Sequence, residues 1–157
     1  MGGKGDWGSF QNDWCLIIPF NVLEQIRAHV TQRLPFESGG LLFGHRRAFE
    51  LVVETFLPVE SALPSRTHYV GRAADAVRAI LKAERTGQPV IGTVHSHPEG
   101  SGDPSHFDLE RAYGYKDICH LIAFRSQGEL SFSVFRYEVG LENKTNLRYE
   151  QIEWKIV

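Results

Sequence analysis

Residues 94–108 of the 157-residue chain read VHSHPEGSGDPSHFD and contain three histidines, three serines, two aspartates and two prolines. The apolar residues that lead into this stretch predict a buried β-strand that ends at His97. Side chains two positions apart on a strand point to the same face, so His95 and His97 present two imidazoles side by side while Ser96 faces the other way. Two histidines in this arrangement can bind one metal ion.

A turn and a short helix are predicted to follow the two histidines. Pro104 fits the first position of a helix near residues 105–113, with Asp103 as its cap. Ser105 and Asp108 are three positions apart and therefore share one face of the first helical turn. The same pair also matches a helix capping box, which is a purely structural role. We expect this face to fold back over the end of the strand, toward the two imidazoles.

The predicted donor set of two imidazoles and one carboxylate suits zinc. A catalytic zinc site keeps its fourth position for a water whose pKa falls to about 7, so hydrolysis is the expected chemistry. Hydrolysis also needs a general base, which spacing alone does not select. The candidates that the sequence offers are Glu37, Glu54, Glu60 and Glu99.

The remainder of the sequence alternates between strand-like and helix-like segments. Apolar runs predict strands in CLIIPF, GGLLFGHR, LVVETFLPV, THYVGR, ICHLIAF, LSFSVFRY and LRYEQIEWKIV. Together with the strand before the histidines they give about seven or eight strands and about three helices. We therefore expect an α/β fold in which a single mixed β-sheet is flanked by helices, forming one domain over residues 13–157 after a flexible leader at residues 1–12.

Two longer helices are predicted from periodicity of the apolar residues. One covers residues 22–33 and takes Asn21 as its cap, and the other covers about residues 73–86. The residues in register are Val22, Leu23, Ile26 and Val30 in the first helix, and Val77, Ile80, Leu81 and Glu84 in the second.

Composition excludes several classes of function. The formal net charge is −2 and the basic residues are scattered, so no nucleic-acid or membrane-surface partner is indicated. The only cysteines, Cys15 and Cys119, each lie in an apolar run, which argues against a disulfide framework and against thiolate ligation of zinc. The apolar runs are shorter than the roughly 18–20 residues that span a bilayer, and the amino terminus lacks the apolar core of a signal peptide. A cytoplasmic protein is therefore expected.

The motif residues resemble a known family. HSHP, the six residues EGSGDP and then SHFD match His-x-His-Pro-x6-Ser-x-x-Asp, the JAMM or MPN+ motif of zinc-dependent, deubiquitinase-like isopeptidases. Upstream, LPFESGGLLFG resembles the Pro-x-Glu-x-x-Gly-x-Leu-x-Gly pattern of short bacterial members. The resemblance covers most of residues 14–140 and implies the JAMM/MPN architecture, which is similar to that of cytidine deaminases.

Carried over residue by residue, the resemblance implies one Zn²⁺ per chain bound by His95, His97 and Asp108. It implies that Glu37 acts as general base and then as general acid, and that Ser105 stabilises the oxyanion. The substrate of such a short member would be the Gly-Gly tail of a ubiquitin-like or sulfur-carrier protein, bearing a peptide or isopeptide adduct.

Two other functions compete with this hypothesis. A zinc deaminase would carry His-x-Glu followed by Pro-Cys-x-x-Cys, and that combined signature is absent, because this sequence has no paired cysteines. A non-catalytic MPN-like interaction module would need neither Glu37 nor Ser105, and both are present. His106 or His68 could close a structural zinc site, but we expect both to face solvent or the surroundings of the site. His29, His45 and His120 are expected to be structural.

Overall fold

The computed structural model describes residues 13–111, 117–139 and 147–157, and the leader predicted for residues 1–12 lies outside these ranges. None of the described helices has the length and apolar character needed to cross a membrane. The described elements are β1 (Cys15–Ile18), α1 (Phe20–Arg33), β2 (Gly39–Arg47), β3 (Glu50–Val59), α2 (Ala73–Arg85), β4 (Val90–His97), α3 (His106–Arg111), β5 (Cys119–Ser126), β6 (Glu129–Val139), β7 (Leu147–Gln151) and β8 (Glu153–Ile156).

All eight described strands form one mixed sheet in the order β7-β6-β5-β4-β2-β3-β1-β8. β4 pairs parallel with β5, and β1 pairs parallel with both β3 and β8, whereas the other neighbours are antiparallel. The single mixed sheet was predicted. Because β4 lies between β2 and β5, the two histidines at its end have a neighbouring strand on each side.

The two edges of the sheet approach each other. β7 and β8 form opposite edges, yet only Ile152 separates them in the chain. Its side chain is buried, and its backbone N–H donates to the carbonyl oxygen of Val134 at 2.8 Å. The sheet is therefore curled until it is nearly closed, rather than open and flanked on both faces. The prediction of one strand over residues 147–157 was wrong, because the chain passes from one edge to the other at Ile152.

α1 packs inside the curled sheet. The four predicted core residues of this helix are all buried, together with strand residues such as Leu16 and Leu121. Asn21 does not cap the helix, because α1 already begins at Phe20 with extended Pro19 as the preceding residue. The Pro19 carbonyl accepts the first hydrogen bonds of the helix, so the strand passes into the helix without a polar cap.

α2 packs on the other face of the sheet, and the side it buries differs from the predicted one. Ala79 and Ala83 are buried against Phe43 and Val59. The three larger apolar residues of the helix are exposed, with Val77 at 54%, Ile80 at 37% and Leu81 at 49%. Alanine lets the helix lie close to the sheet, which turns the larger side chains outward.

The segment THYVGR is not a strand, in contrast to the prediction. Outside the named strands it takes part only in an isolated bridge between Ser61 and Gly71. Side chains hold it instead, since the Tyr69 hydroxyl donates to the carbonyl oxygen of Val59 at 2.6 Å. We call residues 60–72, which connect β3 to α2, the β3–α2 loop.

The burial pattern predicts which helix substitution destabilises the fold. Ile26→Ala removes a fully buried side chain and should lower the free energy of unfolding by about 2–5 kcal/mol. Val77→Ala removes a half-exposed side chain and should change it by about 0.5 kcal/mol or less. Chemical denaturation followed by circular dichroism measures both, and equal losses would contradict the assigned packing of α1 and α2.

Candidate metal centre

Three side chains converge at the carboxyl end of β4. The Nε2 atoms of His95 and His97 are 3.1 Å apart, and Asp108 Oδ2 lies 3.0 Å from each of them. Ligands about 2.0–2.2 Å from a tetrahedral ion lie about 3.3 Å from one another. The triangle of donor atoms therefore has the chemistry and nearly the size of a site that could hold one metal ion.

Ser105 fixes the carboxylate of Asp108. The backbone N–H of Ser105 donates to Asp108 Oδ2 at 2.8 Å, and the N–H of Asp108 donates to Ser105 Oγ at 3.1 Å. This is a reciprocal capping box, so Ser105 precedes α3 as its cap. The prediction that Asp103 caps a helix starting at Pro104 was wrong, because the cap lies two residues later. The hydrogen bonds that cap the helix are thus the same ones that orient the Asp108 carboxylate.

The loop after β4 orients His97. The Nδ1–H of His97 donates to the carbonyl oxygen of Ser101 at 2.8 Å, so Nε2 is the ring nitrogen that faces Asp108 and that could bind a metal ion once it is deprotonated. Gly102 packs on Phe124 so closely that a Cβ atom there would lie 2.5 Å from the ring. Ser133 Oγ also donates to the Gly102 carbonyl. The loop is therefore anchored to β5 and β6.

Charge and burial act together on these side chains. Burial would raise the pKa of the Asp108 carboxyl, but hydrogen bonds from His95 and His97 hold that pKa well below its usual range. Burial would lower the pKa of His97, but its hydrogen bonds to Asp108 and Ser101 raise it. The Asp108 carboxylate is therefore anionic at neutral pH and favours a cation beside the two imidazoles.

Glu37 lies next to this triangle. The residue is 4% exposed, and its Oε1 has no hydrogen-bond partner among the described residues. One ligand atom from each of Glu37, His95 and His97 lies within 4.8 Å of the other two. Burial raises the pKa of the Glu37 carboxyl to about 7, with His97 lowering it and Asp108 raising it.

The other three candidate bases lie in different surroundings. Glu54 is exposed and contacts His45 Nδ1 at 3.0 Å. Glu60 is exposed and pairs with Arg33, and Glu99 is exposed on the loop after β4. Of the four glutamates that spacing left open, Glu37 is the buried one beside the histidines.

Ser96 connects the two halves of the site, a role that the sequence did not reveal. Its backbone N–H donates to the Ser38 carbonyl at 2.9 Å, and its Oγ accepts from the Ser38 N–H at 2.9 Å. Glu37 precedes this clamp, and its own N–H donates to the Ser65 carbonyl at 2.7 Å. A Cβ atom at Gly39 would lie 2.0 Å from the Val94 carbonyl oxygen, so only glycine allows this approach.

The histidines considered as a fourth ligand lie at the surface. His106 is exposed and pairs with Glu110 at 2.9 Å. His68 is also exposed, and its ring contacts Phe107 of α3 with centroids 4.3 Å apart. It belongs to the β3–α2 loop and not to the predicted strand. His29 is buried in α1.

A cavity of about 240 Å³ opens beside the triangle. We call it the α2–α3 cavity, since residues of both helices line it. Its described lining comprises Gly40, Leu41, Val59, Tyr69, Val70, Gly71, Ala76, Thr93, Val94, His95, Phe107, Asp108, His120 and Tyr137. The rings of His120 and Tyr137 stack with centroids 4.1 Å apart, and Thr93 Oγ1 is 2.7 Å from His120 Nδ1. His120 was expected to be structural, and the structure places it in the wall of this cavity. Its position there depends on the pairing of strands that are distant in the sequence.

The family described as prokaryotic homologues of the JAB domain matches residues 19–136, and the chain belongs to this family. The resemblance of the sequence to the JAMM/MPN family is thereby confirmed.

Individual relatives agree with this assignment. The chain is 32% identical over 112 residues to a protein from Thermus thermophilus named "Probable TtuB-protein conjugate cleaving protease". The aligned region covers 71% of this chain and 72% of that protein. A solution structure of a Desulfitobacterium hafniense protein aligns with TM-score 0.75 at 22% identity, covering 90% and 92% of the two chains. One from Salinibacter ruber aligns with TM-score 0.61 at 24% identity, covering 88% and 90%. The two structures support the fold.

The Ser38–Ser96 clamp can be tested by mutation. Ser96→Ala leaves the buried N–H of Ser38 without its side-chain acceptor and should lower the free energy of unfolding by about 1–3 kcal/mol. Ser126→Ala, at an exposed position, is the matched control and should change it by about 0.5 kcal/mol or less. Urea denaturation measures the free energy of unfolding of both variants. Equal values would show that the hydrogen bond between Ser38 and Ser96 does not stabilise the fold.

Proposed function

We propose that this protein is a zinc-dependent metallopeptidase that hydrolyses a peptide or isopeptide bond at the C-terminal Gly-Gly tail of a ubiquitin-like or sulfur-carrier protein. The observation that carries the proposal is the triangle of His95, His97 and Asp108 with the buried carboxylate of Glu37 beside it. Membership of the JAB family and the name of the Thermus thermophilus relative support a hydrolase.

His95, His97 and Asp108 would hold the zinc ion, and their donor set matches that of catalytic zinc sites. When bound, the ion supplies a Lewis acid and a water of lowered pKa. Asp108 Oδ2 lies 3.0 Å from the Nε2 atoms of both imidazoles. For Glu37, one carboxylate oxygen and one ring nitrogen from each histidine all lie within the longer distance of 4.8 Å of one another. This difference supports Asp108 as the third ligand and Glu37 as a neighbour that acts through water.

Glu37 is proposed to move the proton. Its carboxylate accepts a proton from the attacking water and donates it to the leaving amine as the C–N bond breaks. A buried carboxylate oxygen without a partner costs stability, so a structural role does not explain it. For this reason we prefer an enzyme to the alternative, a non-catalytic MPN-like interaction module.

Ser105 is proposed to stabilise the oxyanion. Its Oγ accepts from the Asp108 N–H, which leaves the hydroxyl proton available for donation. A hydroxyl at the edge of the triangle can donate to the oxygen of the tetrahedral intermediate, a contact worth about 2–4 kcal/mol of barrier height.

A carrier-protein substrate is supported by the name of the Thermus thermophilus relative. The relative's name refers to conjugates of TtuB with proteins. Two loops border the candidate centre, the β3–α2 loop and the loop after β4. A Gly-Gly tail is narrow because it carries no side chains, and the proposal places it between these two loops.

The ligand assignment predicts the metal content. Purified protein should bind one zinc per chain, and His97→Ala or Asp108→Ala should lose it while circular dichroism shows an intact fold. His106→Ala is the control, because that histidine is exposed and pairs with Glu110. Atomic absorption after dialysis measures the zinc. Stoichiometric zinc in either ligand variant would exclude that residue as a ligand.

The proposed role of Glu37 predicts that replacing it affects hydrolysis but not zinc binding. Glu37→Gln should retain zinc but lose hydrolysis of a carrier adduct by several orders of magnitude, roughly 10³-fold or more, since the proton has no acceptor. Glu54→Gln, which alters an exposed carboxylate, is the matched control. Mass spectrometry of the carrier, with and without a chelator, measures the products. Near-normal turnover of Glu37→Gln would show that another group moves the proton.

A further inference from the structure

The Ser38–Ser96 clamp is an irregular step in the pairing of β2 with β4. These strands are antiparallel and Gly39 is the partner of His95, so Ser38 and Ser96 form the next pair. In a regular hydrogen-bonded pair each residue donates its N–H to the carbonyl oxygen of the other. The Ser96 N–H does so, but the Ser38 N–H donates to the Ser96 hydroxyl at 2.9 Å. A side chain therefore replaces a backbone acceptor at this step.

The clamp lies directly beside Glu37. Continuing the register of the two strands by one residue sets Glu37 opposite His97, on the face that carries both histidines. The backbone N–H of Glu37 points away from β4 and donates to the Ser65 carbonyl at 2.7 Å. The bonds of the clamp therefore tie β4 to the residue that directly follows Glu37.

The position of the Glu37 carboxylate depends on its backbone, because its buried Oε1 has no hydrogen-bond partner among the described residues. On one side the backbone is held by the β3–α2 loop, through the Ser65 carbonyl and through the Ser61 hydroxyl at 3.3 Å. Most of that loop is exposed. On the other side lies the clamp, where Ser38 is 3% exposed and Ser96 is 0% exposed. The clamp is thus the buried support of Glu37.

Loss of the Ser96 hydroxyl would disturb this support. The buried N–H of Ser38 would either stay unpaired or shift toward another acceptor, such as the carbonyl of residue 96. Either change acts on the residue bonded to Glu37. Proton transfer needs its acceptor within hydrogen-bond reach, and a misplacement of about 1 Å can cost about 100-fold in rate.

Building on the proposed function, we propose that Ser96 is a positioning residue whose hydroxyl, by holding the Ser38 N–H, sets the Glu37 carboxylate against the metal centre. Ser96 faces away from His95 and His97 and is fully buried, so it acts through Glu37 and not on the substrate. The bonds from Asp108 to the two histidines do not involve Ser96. Zinc binding is therefore independent of this hydroxyl.

Ser96→Ala tests the inference in the zinc-loaded protein. The substrate is a ubiquitin-like sulfur carrier joined through its Gly-Gly tail to the Nε of a lysine. At a temperature where circular dichroism shows an intact fold, kcat should fall about 10- to 100-fold. KM should stay within about twofold, and zinc should remain at one per chain.

Two further variants separate the hydroxyl from its surroundings. Ser96→Cys fills the same space with a weak acceptor, so it should also lower kcat, and it decides the question if Ser96→Ala does not fold. Ser38→Ala is the matched control, because its hydroxyl is buried in the same place and has no hydrogen-bond partner among the described residues. This variant should keep kcat within about twofold.

A double variant shows whether Ser96 acts through Glu37. Residues that act as one unit have non-additive effects on rate. In the Glu37→Gln background, Ser96→Ala should therefore change the remaining single-turnover rate by about twofold or less. A fall as large as in the unmodified protein would show that Ser96 acts by another route and would overturn the inference.

The other outcomes separate this inference from the proposed function. Unchanged kcat in folded, zinc-loaded Ser96→Ala or Ser96→Cys overturns the role of Ser96 and leaves the hydrolase proposal intact. Loss of zinc in these variants, or an equal fall of kcat in Ser38→Ala, likewise overturns it. If the unmodified zinc-loaded protein cleaves no carrier adduct, the proposed function fails and the inference fails with it.

Discussion

The contact between one carboxylate oxygen of Asp108 and the Nε2 atoms of both His95 and His97 is the interaction on which the site depends. It joins the end of β4 to the first turn of α3 across the intervening loop. The capping box with Ser105 fixes the carboxylate, and the Ser101 carbonyl fixes one imidazole. The capping box and the bond to the Ser101 carbonyl each use a backbone group, so the positions of Asp108 and His97 follow from how the loop folds.

The core that stabilises the protein and the surface that carries the site are on opposite faces of the sheet. The largest buried cluster contains α1 and strand residues such as Val94, and buried Ser96 shares the face of Val94 because it lies two positions further along β4. His95 and His97 alternate with these residues and point to the face on which α2 and α3 pack. Substitution at the site can therefore alter chemistry while leaving most of the core intact.

The sequence predicted features that depend on neighbouring residues. Alternation along β4 predicted the shared face of His95 and His97, and the spacing of Asp108 predicted its turn toward them. Features that depend on distant parts of the chain were missed. The break at Ile152 follows from closure of the sheet, and the buried alanines of α2 follow from its distance to β2 and β3. The α2–α3 cavity likewise arises from strand pairing that brings β5 and β6 beside β4.

Glu37 connects the fold to the proposed chemistry, because it is buried beside the triangle without a partner for Oε1 among the described residues. The most direct test is X-ray absorption spectroscopy of the zinc-loaded protein, compared with the Glu37→Gln and Asp108→Asn variants. The account predicts two imidazole nitrogens and two oxygens around zinc, a shell unchanged by Glu37→Gln and altered by Asp108→Asn. A shell that changes with Glu37→Gln, or that consists of four protein ligands, would contradict it.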